Sequence, residues 1–227
     1  DRMHQRKRNR PFASGVLSPA LGLTMTLALL LAGGTFAARS GAGIWVALYA
    51  ATSLSYSLFF KEFPLVDIFV LAGLYTLRLF AGGEATGHLV SLWLLAFSSF
   101  FFLSLALVKR VSEMMTKIRG RAARRGYEAA DVPILQLMGV ASAFTAIVIL
   151  AIVVQNEAVS RLYASPVLLW LIVPLMLFWL CRIWLSTARG YMHDDPIVYA
   201  AKDWVSWLVS LAVFGALAAA KDFPLGG

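Results

Sequence analysis

In a chain of 227 residues, 60% are hydrophobic and only 14% charged, and the mean hydropathy is +0.76. That is more apolar than a soluble core of this size requires, so the composition excludes an ordinary soluble domain and indicates a membrane protein. The formal charge of +8 is accounted for first by membrane topology and anionic lipid rather than by nucleic acid. The single cysteine, Cys181, lies inside an apolar stretch and excludes a disulfide framework and a cysteine metal site.

The chain opens on Asp1-Arg2-Met3-His4-Gln5-Arg6-Lys7-Arg8-Asn9-Arg10-Pro11. With Asp at the first position and no signal-peptide pattern ahead of the basic run, it is expected to be the C-terminal part of a longer protein. A bilayer core of about 30 Å takes about 20 apolar residues of helix. Seven stretches approach or meet that length: Ala20 to Ala38, Gly43 to Phe60, Pro64 to Gly82, His88 to Val108, Pro133 to Val154, Ser165 to Leu185 and Trp204 to Ala220. Their continuity lacks the alternation of barrel strands, and backbone groups in lipid must be satisfied within the segment. The fold class predicted is therefore all-α, a polytopic transmembrane bundle forming one domain over residues 1–227.

Basic residues set the orientation. With the opening run in the cytoplasm, that side holds sixteen of the Lys and Arg residues, from Arg2 through the Lys61 turn and the Lys109 to Asp131 loop to Lys202. The opposite side holds Arg39, Arg161 and Lys221. Chemistry is expected at the cytoplasmic mouth of a protein integral to the cell membrane.

In the opening run, Asp1 can hold magnesium that also binds diphosphate oxygens, with Arg2, Lys7 and Arg10 gripping those oxygens. A basic anchor on anionic lipid is the alternative. At the next cytoplasmic turn stand Tyr56, Ser57 and Lys61, followed by Asp67 one turn into the third stretch. An ionisable residue inside a span faces a cavity or a partner, so Asp67 is expected to orient Lys61 or to help hold a metal. Arg78 shares a helical face with Asp67 about 16 Å further along, and is expected to meet Glu84 in a structural role. Lys109, Arg110 and Glu113 begin the loop after the fourth stretch, where the first two can face the cavity and bind phosphate. In the last loop, Asp195 followed by Pro196 reads as a helix cap, leaving Asp194 and Asp203 as the functional candidates. His193 lacks a second histidine at ligand spacing, so zinc is excluded. No Ser-His-Asp set or glycine-rich phosphate loop is present.

Asp1-Arg2-x-His4-x-x-Lys7-Arg8-x-Arg10-Pro11-x-x-Ser14-Gly15 resembles the end of the first aspartate-rich motif of the UbiA superfamily of intramembrane transferases and the stretch beyond it. Tyr56-Ser57-x-x-x-Lys61 with Asp67 is similar to the superfamily's next cytoplasmic turn, and Leu77-Arg78-x-x-Ala81-Gly82 to the end of the following helix. The resemblance implies a nine-helix fold of which seven helices are present. Prenyltransferases of the superfamily carry a second aspartate-rich motif where this chain has Lys109-Arg110-x-x-Glu113. That basic pair, and the acidic stretch from Asp194 to Asp203, resemble the decaprenyl-phosphate phosphoribosyltransferase branch. The resemblance implies a magnesium-dependent transferase. Asp1, with upstream aspartates, would hold the metal and the diphosphate donor; Arg2, Lys7, Arg10 and Lys61 would neutralise phosphates. Lys109 and Arg110 would grip a polyprenyl phosphate acceptor. Prenyl transfer to an aromatic or other acceptor is the alternative within this class. A carrier of an anionic substrate, with Asp67 and Arg78 as pathway charges, is the alternative outside it.

Overall fold

The computed structural model describes residues 17–118, 126–192 and 195–222, whose regular structure is helical, with no strand among them. Asp1, Arg2, Lys7, Arg10, His193 and Asp194 lie outside the described residues. Helix α1 (Pro19–Arg39) is started by the Ser18 side chain, which accepts from Leu21 N–H at 3.2 Å, with Pro19 at the first helical position. Helix α2 (Gly43–Leu58) gives way to a 3-10 turn at Phe60–Glu62. Helix α3 (Val66–Thr86) stops at Gly87, whose φ of 69° permits the left-handed cap. Helix α4 (Leu92–Ile118) and helix α5 (Val132–Gln155) form the most extensive helix pair. The one-turn α6 (Glu157–Ser160) and a 3-10 segment at Pro166–Leu171 lead into α7 (Ile172–Ala188). The short α8 (Pro196–Lys202) and the final α9 (Trp204–Asp222) complete the described chain.

Among the described residues, six segments are long and apolar enough to cross a membrane: those containing α1, α3, α4, α5, α7 and α9. The remaining expected span, α2, is a helix of 16 residues, about 24 Å at 1.5 Å per residue and therefore short of a full crossing. Another departure concerns α4. Its 27 residues continue ten positions beyond Val108, so Lys109 and Arg110 belong to the helix body rather than to a loop. Leucines such as Leu29, Leu31 and Leu211 are exposed along the outside of the bundle, as a lipid-facing surface requires.

The main core lies between α3, α4, α5 and α7, with Ile68, Leu107, Leu135 and Ile183 fully buried. Close approach at its centre depends on Gly139. A Cβ there would lie 2.0 Å from Trp184 Cζ2, and the Gly139 carbonyl accepts from Ser104 Oγ at 2.9 Å, which in turn accepts from Trp184 Nε1 at 2.9 Å. A smaller core of Val154, Leu169, Ile172, Ala216 and Ala220 closes the opposite end. The start of α3, the end of α4, the start of α5, the end of α7 and α8 gather at one end of the bundle, where the charged residues meet.

Candidate functional site

The entry to α3 is built on a strained turn. Pro64 is followed by Leu65 at φ 65° and ψ −47°, and Val66 N–H donates to Pro64 O at 2.8 Å, the geometry of the rare tight γ-turn. Leu65 N–H donates to the Tyr127 hydroxyl oxygen at 2.6 Å, and the same hydroxyl donates to Asp67 Oδ1 at 2.7 Å. Gly126, at φ 66°, lets the backbone before Tyr127 lie against Pro64; a Cβ there would meet Pro64 Cγ at 3.1 Å. Burial, followed by the bond to Asp67, pushes the Tyr127 phenol well above its ordinary range, so it remains a neutral donor.

Asp67 is fully buried in the first turn of α3, where the helix dipole favours a carboxylate. Its ion partner is Arg110, itself 3% exposed, whose Nη1 also donates to Glu113 Oε2 at 2.5 Å and whose guanidinium lies 5.6 Å from the centre of the Tyr127 ring. Arg110 Nε has no hydrogen-bond acceptor, and the Asp67 Oδ2 contact is an ion pair without hydrogen-bond alignment. Asp67 therefore fixes Arg110 and the loop at Tyr127, not Lys61. The expected joint grip of Lys109 and Arg110 on one phosphate is corrected for Arg110, which is buried behind α3.

Lys109 is rotated about 100° around α4 from its neighbour. Its Nζ meets Asp195 Oδ2 at 2.7 Å, and the two side chains are 32% and 27% exposed. Asp195 performs the expected cap as well, since its Oδ1 accepts from Ile197 N–H at 3.1 Å. A narrow crevice lined by Leu71, Tyr75, Ala106, Lys109, Asp195 and Pro196 runs inward from this pair. The pair is only partly buried, so an incoming anion would compete with Asp195 for Lys109.

Asp203 is held differently. Both of its oxygens pair with Arg182, at 2.5 Å and 2.9 Å, and Oδ2 also accepts from Ser206 N–H and Oγ, each at 2.8 Å. Burial works against ionisation, but Arg182 and Ser206 prevail and hold the carboxyl below its usual range. Asp203 thus caps α9 and ties it to α7, with Trp179 Nε1 donating to Ser206 Oγ at 2.9 Å. At the end of α2, the Lys61 ammonium and the half-buried Tyr56 have no ion-pair or hydrogen-bond partner among the described residues, which leaves both available to a ligand.

Four described carboxylates at this end are engaged by cations, and the described residues offer no cluster for a magnesium ion. Asp67 and Glu113 are committed to Arg110, Asp195 to Lys109 and Asp203 to Arg182, and no group of three potential ligands occurs among the described residues. The metal expectation rests on Asp1, outside the described residues.

On the face of α3 away from Asp67, an apolar cavity of about 480 Å³ lies between α2, α3 and α4, bounded by Phe69, Gly73, Thr76, Phe80 and Phe100. Arg78 does not meet Glu84. Its Nη2 donates to the Tyr49 hydroxyl oxygen at 2.6 Å, and its guanidinium lies between the Tyr49 and Tyr75 rings, at 5.1 Å and 5.2 Å. Sequence reasoning missed Tyr127 and Tyr49. Their hydroxyl partners lie 60 and 29 residues away, and no local pattern announces such contacts.

The sequence profile of the UbiA prenyltransferase family matches residues 1–204. The chain is 39% identical over 223 residues to an uncharacterised protein, y4nM, of Sinorhizobium fredii, covering 95% of this chain but 43% of that protein. It is 35% identical over 219 residues to the nodulation protein NoeC of Azorhizobium caulinodans, covering 94% of this chain and 71% of NoeC. A decaprenyl-phosphate phosphoribosyltransferase of Mycobacterium tuberculosis is 28% identical over 227 residues, 98% of this chain and 73% of that enzyme. With helices of membrane-spanning length, charged groups gathered at one end and a profile match over most of its length, the chain belongs to the UbiA prenyltransferase family.

Proposed function

We propose that this chain is the transferase body of an integral membrane enzyme that moves a phosphoribosyl group from phosphoribosyl diphosphate to a polyprenyl phosphate. The observation that carries the reading is Lys109: an ammonium held only by a partly exposed carboxylate, at the head of a crevice, where prenyltransferases of the family are expected to carry acidic residues. The similarity to enzymes named decaprenyl-phosphate phosphoribosyltransferase supports it.

In this reading, Lys109 exchanges Asp195 for the acceptor phosphate and holds one of its oxygens toward the anomeric carbon of the donor. A new C–O bond forms there as the bond to the diphosphate breaks, and the electron pair leaves with the diphosphate. Lys61, Tyr56 and the basic residues Arg2, Lys7 and Arg10 receive the departing charge, so catalysis comes from positioning and electrostatic stabilisation. Arg110 and Glu113 act through Asp67, holding α4 so that Lys109 faces the crevice. Asp203 fixes α9 beside it, and Asp194 belongs to the same acidic loop. Magnesium enters the proposal through Asp1 and would neutralise the donor diphosphate. The positive-inside bias supports a cytoplasmic mouth in a protein of the cell membrane.

A second reading, prenyl transfer from a polyprenyl diphosphate to an aromatic or other acceptor, is favoured by the apolar cavity, whose volume suits an isoprenoid chain. Two incubations of the purified full-length protein with magnesium decide between them: phosphoribosyl diphosphate with polyprenyl phosphate, and prenyl diphosphate with an aromatic acid. Lipid-linked phosphoribose is expected from the first and no product from the second; the reverse pattern selects prenyl transfer.

A further inference from the structure

Arg78 stands at the thirteenth position of α3, about 16 Å along the helix from Asp67 and inside a membrane-spanning segment. Asp67, Leu71, Tyr75 and Arg78 follow the three- and four-residue spacing of one helical face. That face is turned toward the bundle: Asp67 reaches Arg110, Leu71 packs on the main core, and Tyr75 stacks on Phe102 of α4 at 5.1 Å. The apolar cavity lies on a different face of the same helix.

A charged side chain within a span requires a partner or a functional reason. Three basic residues of the bundle face a carboxylate: Arg110 faces Asp67 and Glu113, Lys109 faces Asp195, and Arg182 faces Asp203. Among the described residues, Arg78 faces none. Its contacts are the Tyr49 hydroxyl and the faces of two tyrosine rings, which stabilise a cation without neutralising it. One of its five N–H groups is used and the rest remain. Because the Tyr49 hydroxyl accepts from Arg78, its own proton is free to point at the same ligand. Tyr75, whose ring Arg78 faces, also lines the narrow crevice beside Lys109.

We infer that Arg78, itself exposed, forms with Tyr49 and Tyr75 a second anion site between α2 and α3, further along the membrane span than Lys109, that receives a phosphate group. The planar guanidinium fork binds two phosphate oxygens, and the Tyr49 hydroxyl supplies a third donor. The choice of phosphate over carboxylate rests on the proposed transfer reaction, both of whose substrates carry phosphate. The group bound at Arg78 is either the monophosphate of the lipid acceptor or a phosphate of the soluble donor.

Binding measured without turnover tests the site and separates the two sources. Full-length protein in lipid nanodiscs is titrated with farnesyl phosphate, with phosphoribosyl diphosphate and, as a neutral control, with farnesol. Arg78→Gln is expected to weaken one of the phosphate probes about tenfold or more. Tyr49→Phe, which keeps the ring and packing, is expected to weaken the same probe about threefold or more, and farnesol should bind all three proteins alike. The affected probe identifies the source. If Arg78→Gln does not yield folded protein, Tyr49→Phe decides alone. Wild-type affinity of Tyr49→Phe for both phosphate probes overturns the site. If wild-type protein forms no lipid-linked phosphoribose while these variants still lose phosphate binding, the transfer reading fails and the anion site stands.

Discussion

Tyr127 and Asp67, 60 residues apart in the chain, are joined by a 2.7 Å hydrogen bond that locks the loop before α5 onto the first turn of α3. The same phenol accepts from Leu65 N–H, so one oxygen supports both the strained turn and the buried carboxylate. Tyr127→Phe removes both bonds while keeping the ring beneath Arg110. A loss of about 1–3 kcal/mol of stability is expected, the range for a buried polar group left unpaired. Thermal unfolding in detergent measures it, and an unchanged midpoint would show that the phenol carries no structural load.

The Asp67 and Arg110 charges are both buried, so removing either alone leaves the other uncompensated. Asp67→Asn or Arg110→Met should each destabilise by about 3–5 kcal/mol, and the double variant should be less destabilised than the sum of the two. Additive losses in this double-mutant cycle would mean that the two residues do not act as a pair.

Gly139 is predicted to be intolerant of even one added carbon. Gly139→Ala drives a Cβ into the Trp184 ring and forces α4, α5 and α7 apart, at a cost on the order of 1–3 kcal/mol. Yield and unfolding temperature of Gly139→Ala check this, and a protein as stable as wild type would contradict the observed packing.

Stability should fall in acid through Asp203. Its carboxyl lies below the unfolded value of about 3.9, so the folded state gains stability that is complete above that value. The gain shrinks as pH drops through it toward the lower folded value. Unfolding temperatures recorded between pH 6 and pH 3 should decline for wild type and decline less for Asp203→Asn. Parallel curves would remove Asp203 from the acid response.

Much of the architecture is legible in the apolar stretches because membrane crossing imposes a length and a composition that few other structures share. The stretch from Gly43 to Phe60 looks like its neighbours, yet α2 ends at Leu58 and is too short to span fully. The Asp195-Pro196 cap is equally plain, since it needs only adjacent residues. The site is less legible. Lys109 and Arg110 are neighbours in sequence, but a rotation of about 100° per residue sends one to the crevice and buries the other against Asp67. A carboxylate inside a span announces that it has a partner without identifying it. Arg78 could not be matched to Tyr49 because their contact depends on how α2 packs against α3.

The acceptor dependence of lipid-linked phosphoribose formation, compared between full-length wild type and Lys109→Ala, tests the proposed function most directly. Wild type is expected to form the product from phosphoribosyl diphosphate and polyprenyl phosphate. Lys109→Ala should raise KM for the acceptor about tenfold, as loss of a charge-assisted contact does, with KM for the donor nearly unchanged. Absence of the product from wild type, or an equal rise in both KM values, would overturn the phosphoribosyl-transfer reading.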